Sequence, residues 1–158
     1  MKKIDYKLLI ISTGISAGLV MFVLGARTGL TGRDSSNLPD AIEQISPGQG
    51  ERVLRQSQVI VDFVEGYTAT LTIDGIELPT TRLDEVVATG KQITPGAQIT
   101  LPPTAIFDAG NYIISYLPQP GAPIAELVQG QHTGSVRFWL IRDGEGSSRT
   151  YSWTFFTD

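Results

Sequence analysis

The chain has 158 residues, no cysteine, one histidine and a formal charge of −4. These totals exclude disulfides, thiolate nucleophiles, iron–sulfur clusters and thiolate zinc sites, as well as a histidine-rich metal centre within one chain. The acidic balance argues against a nucleic-acid surface, and the length is that of one domain with or without an appendage.

The whole-chain charge hides two regions. Residues 1–31 carry four basic side chains and one acidic, a balance of +3, whereas residues 32–158 carry eight basic and fifteen acidic, a balance of −7. From Leu8 to Ala26 the chain runs 19 residues without a charge. As a helix this reaches about 28 Å, close to the thickness of a bilayer's hydrocarbon layer, and a helix is required there because lipid cannot satisfy open backbone groups. Residues 1–7, with Lys2, Lys3 and Lys7, form a positive flank. The positive-inside rule then places the N-terminus in the cytoplasm and the bulk of the chain outside. Leu24 is bulky for a signal-peptidase motif and the apolar run is long for a signal, which predicts a retained single-pass anchor over residues 8–26; a cleaved signal is the alternative. Gly14, Gly18 and Gly25 fall close to one face of that helix, a pattern that permits another helix, self or other, to approach.

Residues 27–58 read as a linker or stalk, punctuated by Gly29, Gly32, Pro39, Pro47, Gly48 and Gly50. Leu38, Ile42 and Ile45 sit at about helical spacing, so one helical turn is expected at residues 40–45. From residue 59 the pattern turns to strands. Val59, Val61 and Phe63 alternate with Ile60, Asp62 and Val64. Tyr67, Ala69, Leu71 and Ile73 alternate with Thr68, Thr70 and Thr72, and Asp74-Gly75 supplies a hairpin turn. Residues 81–88 fit either a short helical turn or an irregular edge. Strands follow at 99–101, 111–117, 135–141 and 150–156, closed by Pro102-Pro103, by Pro118, Pro120 and Pro123, and by Asp143-Gly144. No long amphipathic helices alternate with them, so a βαβ architecture is unsupported. The expectation is an all-β domain over residues 59–158, a two-sheet sandwich with Leu71, Ile73, Ile114, Val136, Phe138, Tyr151, Trp153 and Phe155 in its core; a small barrel is the alternative.

Leu127-x-x-Gly130-x-His132, then Val136, the Asp143-Gly144 turn and Tyr151-Ser-Trp-Thr-Phe155 resemble the closing strands of bacterial immunoglobulin-like and fibronectin-like modules. The resemblance covers residues 124–158 and extends more loosely from Gln58 onward. It implies an immunoglobulin-like sandwich without a shared catalytic set, used for adhesion, spacing or partner binding.

The search for chemistry yields little. His132 has Thr133 and Ser135 nearby in sequence but no fixed acid, so a histidine in a turn, bonded to the backbone, is expected rather than a catalytic base. Some periplasmic copper carriers are β-sandwiches, but their sites need several His or Met ligands; beyond the apolar segment this chain has one His and no Met. Carboxylates are scattered, no calcium-loop spacing occurs, and Gly144-x-Gly146 lacks the context of a nucleotide loop. No catalytic, cofactor-binding or metal-binding residue is therefore assigned. Aromatics occupy both parities of the last two strands, which turns Trp139 or Phe156 outward as a candidate protein contact.

These readings converge on a non-enzymatic, membrane-anchored accessory or scaffold subunit. Its helix and exterior domain would contact integral membrane partners, with homodimerisation open, no nucleic acid and no cofactor. The alternative is a surface-exposed ligand-binding or adhesion module that works through its outer loops.

Overall fold

Alternating apolar residues set the strands of this chain, because a period of two buries one face of a sheet and leaves the other to water. The computed structural model describes residues 38–89 and 101–158. The apolar segment 8–26, with Gly14, Gly18 and Gly25, lies outside the described residues. Among the described residues no helix is long and apolar enough to cross a membrane.

The strands are β1 (Ile42–Ser46), β2 (Arg52–Val53), β3 (Val59–Phe63), β4 (Tyr67–Ile73), β5 (Ile76–Glu77), β6 (Thr80–Arg82), β7 (Ala105–Asp108), β8 (Ile113–Tyr116), β9 (Gly130–Leu140) and β10 (Arg149–Thr157), with a short helix α1 (Leu83–Thr89) after β6. They form two five-stranded sheets, β1-β3-β8-β7-β6 and β2-β10-β9-β4-β5. Pairing is antiparallel except for β6 with β7 and β2 with β10. The chain is thus an all-β two-sheet sandwich. Its first strand is divided between the sheets, and three consecutive antiparallel neighbours (β10, β9, β4) face the other sheet, the connectivity of immunoglobulin sandwiches.

The divided first strand corrects the linker reading of residues 40–58. Residues 42–46 pair with β3, where a helical turn was expected, and Arg52–Val53 pair with β10. The reason is local. Ile42 is buried opposite Phe63, and a bulge between Ile42 and Gln44 shifts the register, which breaks the alternation that would mark a strand. The Pro47–Gly50 stretch then carries the chain across to the second sheet; the Ser46–Pro47 peptide is cis. Residues 83–89 take the helical option.

The inner faces close on Val59, Val61, Phe63, Leu71, Ile73, Phe107, Ile114, Val136, Phe138, Trp153 and Phe155. Of the expected core only Tyr151 is half-buried. Gly134 is fixed by Trp153, its partner in the β9–β10 register. A Cβ at position 134 would lie 2.5 Å from the indole, so the ring occupies the space a side chain would need. Trp153 Nε1 is buried without a hydrogen-bond partner among the described residues. Leaving such a donor unpaired costs about 1–3 kcal/mol, which the packing of a large ring offsets.

Candidate functional site

The registers divide the loops between two poles. The described chain enters beside Phe63: Val64 N–H donates to Ala41 O and Phe63 N–H to Tyr112 O. This entry pole carries the β3–β4, β7–β8 and β9–β10 turns. The opposite, far pole carries the β2–β3 loop, the β4–β5 hairpin turn, the β8–β9 connection and the end of β10, as the pairs Val59–Tyr116, Ile73–Gly134 and Thr157–Gly130 require.

Exposed aliphatics gather at the far pole. Leu54, Ile76, Leu101, Leu117 and Val128 all lie there; Leu54 is 74% exposed and Val128 69%. A half-open pocket of about 450 Å³ is lined by Leu117, Pro118, Pro120 and Ala125, with Gln56 and Glu126 at its polar side. Leu54 precedes Gln56 by two residues and Val128 follows Glu126 by two, so both belong to the loops that supply the pocket wall. Leu127 N–H donates to Arg55 O at 3.1 Å, and the Arg55 guanidinium meets Glu126 at 3.4 Å. Those contacts join the two loops that form the wall.

Two buried polar groups hold this pole in shape. The proline-punctuated connection after β8 has few backbone bonds of its own, and Tyr116 supplies them. Its hydroxyl donates to Ile124 O at 2.7 Å and accepts from Ile124 N–H at 2.9 Å. Burial pushes the phenol up from its ordinary range, against the opposing effect of the Ile124 amide, so this hydroxyl keeps its proton at neutral pH.

His132 is the second pin. It sits in β9, 2% exposed and stacked 5.3 Å from Phe155, rather than in the turn expected from sequence. Nε2 lies 2.6 Å from Val128 O, and since a carbonyl only accepts, that nitrogen carries a proton. Nδ1 lies 2.6 Å from Asp74 Oδ2. The other Asp74 oxygen accepts Thr133 N–H at 2.8 Å. Thr157 Oγ1 also donates to Val128 O. The Asp74-Gly75 turn itself has positive φ at both residues, 51° and 79°, as a tight type I′ hairpin requires. One imidazole therefore ties the β4–β5 turn, the β8–β9 connection and the end of β10 together.

The sequence candidates Trp139 and Phe156 both face outward from the second sheet but are not brought together. Trp139 pairs with Thr68 at one end of the face and Phe156 with Gln131 at the other. Each is half-buried, Trp139 under Arg137 at 5.7 Å and Phe156 under Arg52 at 5.4 Å. Between them lies a hydroxyl-rich surface in which Ser135 and Ser152 share a hydrogen bond of 2.9 Å. Among the described residues the hydroxyl set against His132, Thr157 Oγ1 at 3.1 Å from Nε2, is buried and already donates to Val128 O, and no group of three His, Cys, Asp or Glu side chains is placed to hold a metal. Sequence reasoning missed the far pole. Its signal was the pair of isolated aliphatics, Leu54 and Val128, set among polar neighbours, together with the prolines around Leu117.

No family model and no curated protein matches the chain. Among solved structures it is similar to CopC from Methylosinus trichosporium OB3b, at 15% identity over 74% of this chain and 91% of that one, with a TM-score of 0.43. It is also similar to PcoC, a copper resistance protein from Escherichia coli, at 13% identity over 74% of this chain and 98% of that one, with a TM-score of 0.43. The described residues do not fit a copper ion. Both nitrogens of His132 face oxygen partners, and the described residues contain neither Met nor Cys.

Proposed function

We propose that this chain is a non-enzymatic binding module, tethered outside the cytoplasm by the segment 8–26, that engages a protein partner through the far pole. The observation that carries the reading is the exposure of Leu54 and Val128 beside an apolar pocket whose walls are pinned from within by Tyr116 and His132. Aliphatic groups held outward on ordered loops lose little entropy on docking, and a shallow, half-open pocket suits a partner's side chain. The first described residues, from Leu38, lie at the opposite pole.

A second reading, an accessory subunit seated on integral membrane partners, is favoured by Trp139 and Phe156, the two outward aromatics of the second sheet. Photo-crosslinking amino acids placed at residue 54 or 128, and separately at 139, in the full chain in its native membrane distinguish them. Crosslinks to protein are expected from 54 and 128. Crosslinks confined to 139 would replace the first reading with the second.

A further inference from the structure

We infer that the partner of the far pole is a second copy of this chain, docked pole to pole. The inference deepens the reading above and rests on it. A two-fold interface uses the same patch on both copies, so that patch must carry a projection together with the recess that receives it. The far pole carries both. Leu54 is 74% exposed and so does not fill the pocket beside it, while that pocket, about 450 Å³, presents Leu117, Pro118, Pro120 and Ala125.

The charges agree. Beside Leu54 and the pocket stand Arg55 with Glu126 and Arg52 with Asp158, one arginine for each carboxylate, with the four side chains 44–67% exposed. A patch holding both signs in equal number is complementary to its own rotated copy, since each arginine can face the other copy's carboxylate. A partner of uniform charge would find half of these groups repulsive. Of the other carboxylates of this pole, Asp74 is turned toward His132 and the Thr133 amide, and exposed Glu77 stands on β5, at the sheet edge opposite β2 and away from Leu54. The balance matters because residues 32–158 carry −7 overall, and copies approaching by a uniformly acidic surface would repel. The chemistry also disfavours a lipid surface. The outward aromatic of this pole, Phe156, is half-buried under Arg52, and both arginines are paired with carboxylates, so the free aromatic and unpaired basic groups that seat a protein on a bilayer are not presented. Docking in this way places the two Leu38 ends at opposite extremes of the pair, a geometry for contact between copies held on facing surfaces.

The test uses the full chain reconstituted in phosphatidylcholine vesicles, with vesicle tethering read by light scattering. The wild-type chain should tether vesicles, and Leu54→Asp should reduce tethering at least tenfold while leaving the thermal midpoint within a few degrees. Arg55→Glu vesicles alone and Glu126→Arg vesicles alone should fail, through like charges facing across the interface. Mixing those two populations should restore tethering, because each mutated residue then meets its opposite in the other copy. A folding defect in either variant cannot produce that rescue. Absence of wild-type tethering overturns the inference. Equal capture of vesicles that carry no protein overturns it in favour of lipid. Failure of rescue on mixing overturns the proposed pairing of copies. A crosslink from residue 54 to a different protein would overturn the self-contact while leaving the far-pole reading standing, whereas absence of any crosslink from 54 and 128 removes both.

Discussion

The two poles of the sandwich are held by different physics. At the entry pole the turns stabilise themselves locally: Asp108 accepts from Gly110 and Asn111, Ser147 Oγ donates to Gly144 O, and Arg142 meets Asp143, all in exposed positions. At the far pole the long β8–β9 connection holds few bonds of its own and depends on two buried side chains from the strands, Tyr116 and His132. Local turns are inexpensive and replaceable. Buried polar pins cost desolvation, give back little net energy, and specify one arrangement. A pole built the second way can hold aliphatic side chains outward without collapsing onto them.

The largest effect expected from this contrast is at His132. Replacing it by Ala leaves a cavity beside Phe155 and removes the ring nitrogens that face Asp74 Oδ2 and Val128 O, which together should cost about 3 kcal/mol and lower the thermal midpoint by roughly 10 °C. His132→Phe separates the two contributions, since it refills the volume but supplies no donor. Hydrogen exchange of the Thr133 amide should rise sharply in both variants, while exchange at the entry pole stays as it was. If His132→Phe matched the wild type in stability and exchange, the ring would be a filler and the comparison between the poles would break.

Tyr116→Phe should come next. It deletes one oxygen but unpairs both the N–H and the carbonyl of Ile124, a loss of about 1–2 kcal/mol. Faster exchange of the Ile124 amide should accompany it, together with weaker tethering, because the pocket wall from Leu117 to Ala125 depends on that hydroxyl. The pH dependence has a defined sign. The folded phenol is raised, chiefly by burial, so its contribution is complete below the ordinary tyrosine value of about 10 and is lost as pH climbs through the folded value. Neutral and mildly acidic conditions leave the pin intact. Unchanged exchange at Ile124 in Tyr116→Phe would show that the prolines alone order the loop.

The contrast between the poles also explains what the sequence could reveal. β4, β9 and β10 are legible because Leu71, Ile73, Val136, Phe138, Trp153 and Phe155 keep a strict period of two for long enough to be counted. β1 and β2 are not, because a bulge breaks the first and the second has two residues. Their Pro and Gly neighbours then read as linker composition, though they serve a crossing between sheets. The far pole was hidden for another reason. Its pins join residues far apart in sequence, His132 with Asp74 and Tyr116 with Ile124, and pairing at that range leaves no local pattern. Leu54 and Val128 carry little signal singly, because isolated exposed aliphatics are common; what distinguishes them is that both lie at one pole.

The smallest effect tests the entry pole. Asp108 Oδ1 accepts Gly110 N–H at 2.8 Å and Oδ2 accepts Asn111 Nδ2 at 2.7 Å. These bonds, the Asn111 side chain first and the Gly110 amide second, hold the carboxyl below the usual aspartate range against opposing burial and the charge of Asp84. A depressed folded value means the contribution is present above the ordinary carboxylate value of about 3.9 and is lost as pH falls through the folded one. Solvent screening at this exposed turn keeps it below about 1 kcal/mol. Asn111→Ala removes the larger influence, so the fall in thermal midpoint between pH 7 and pH 3 should shrink by about 1–3 °C relative to wild type. Exchange at Ile124 and Thr133 should not change, because nothing at this turn reaches the far pins. A change at those two amides would mean that the poles are coupled through the sandwich, and the local character assigned to the entry pole would then be wrong.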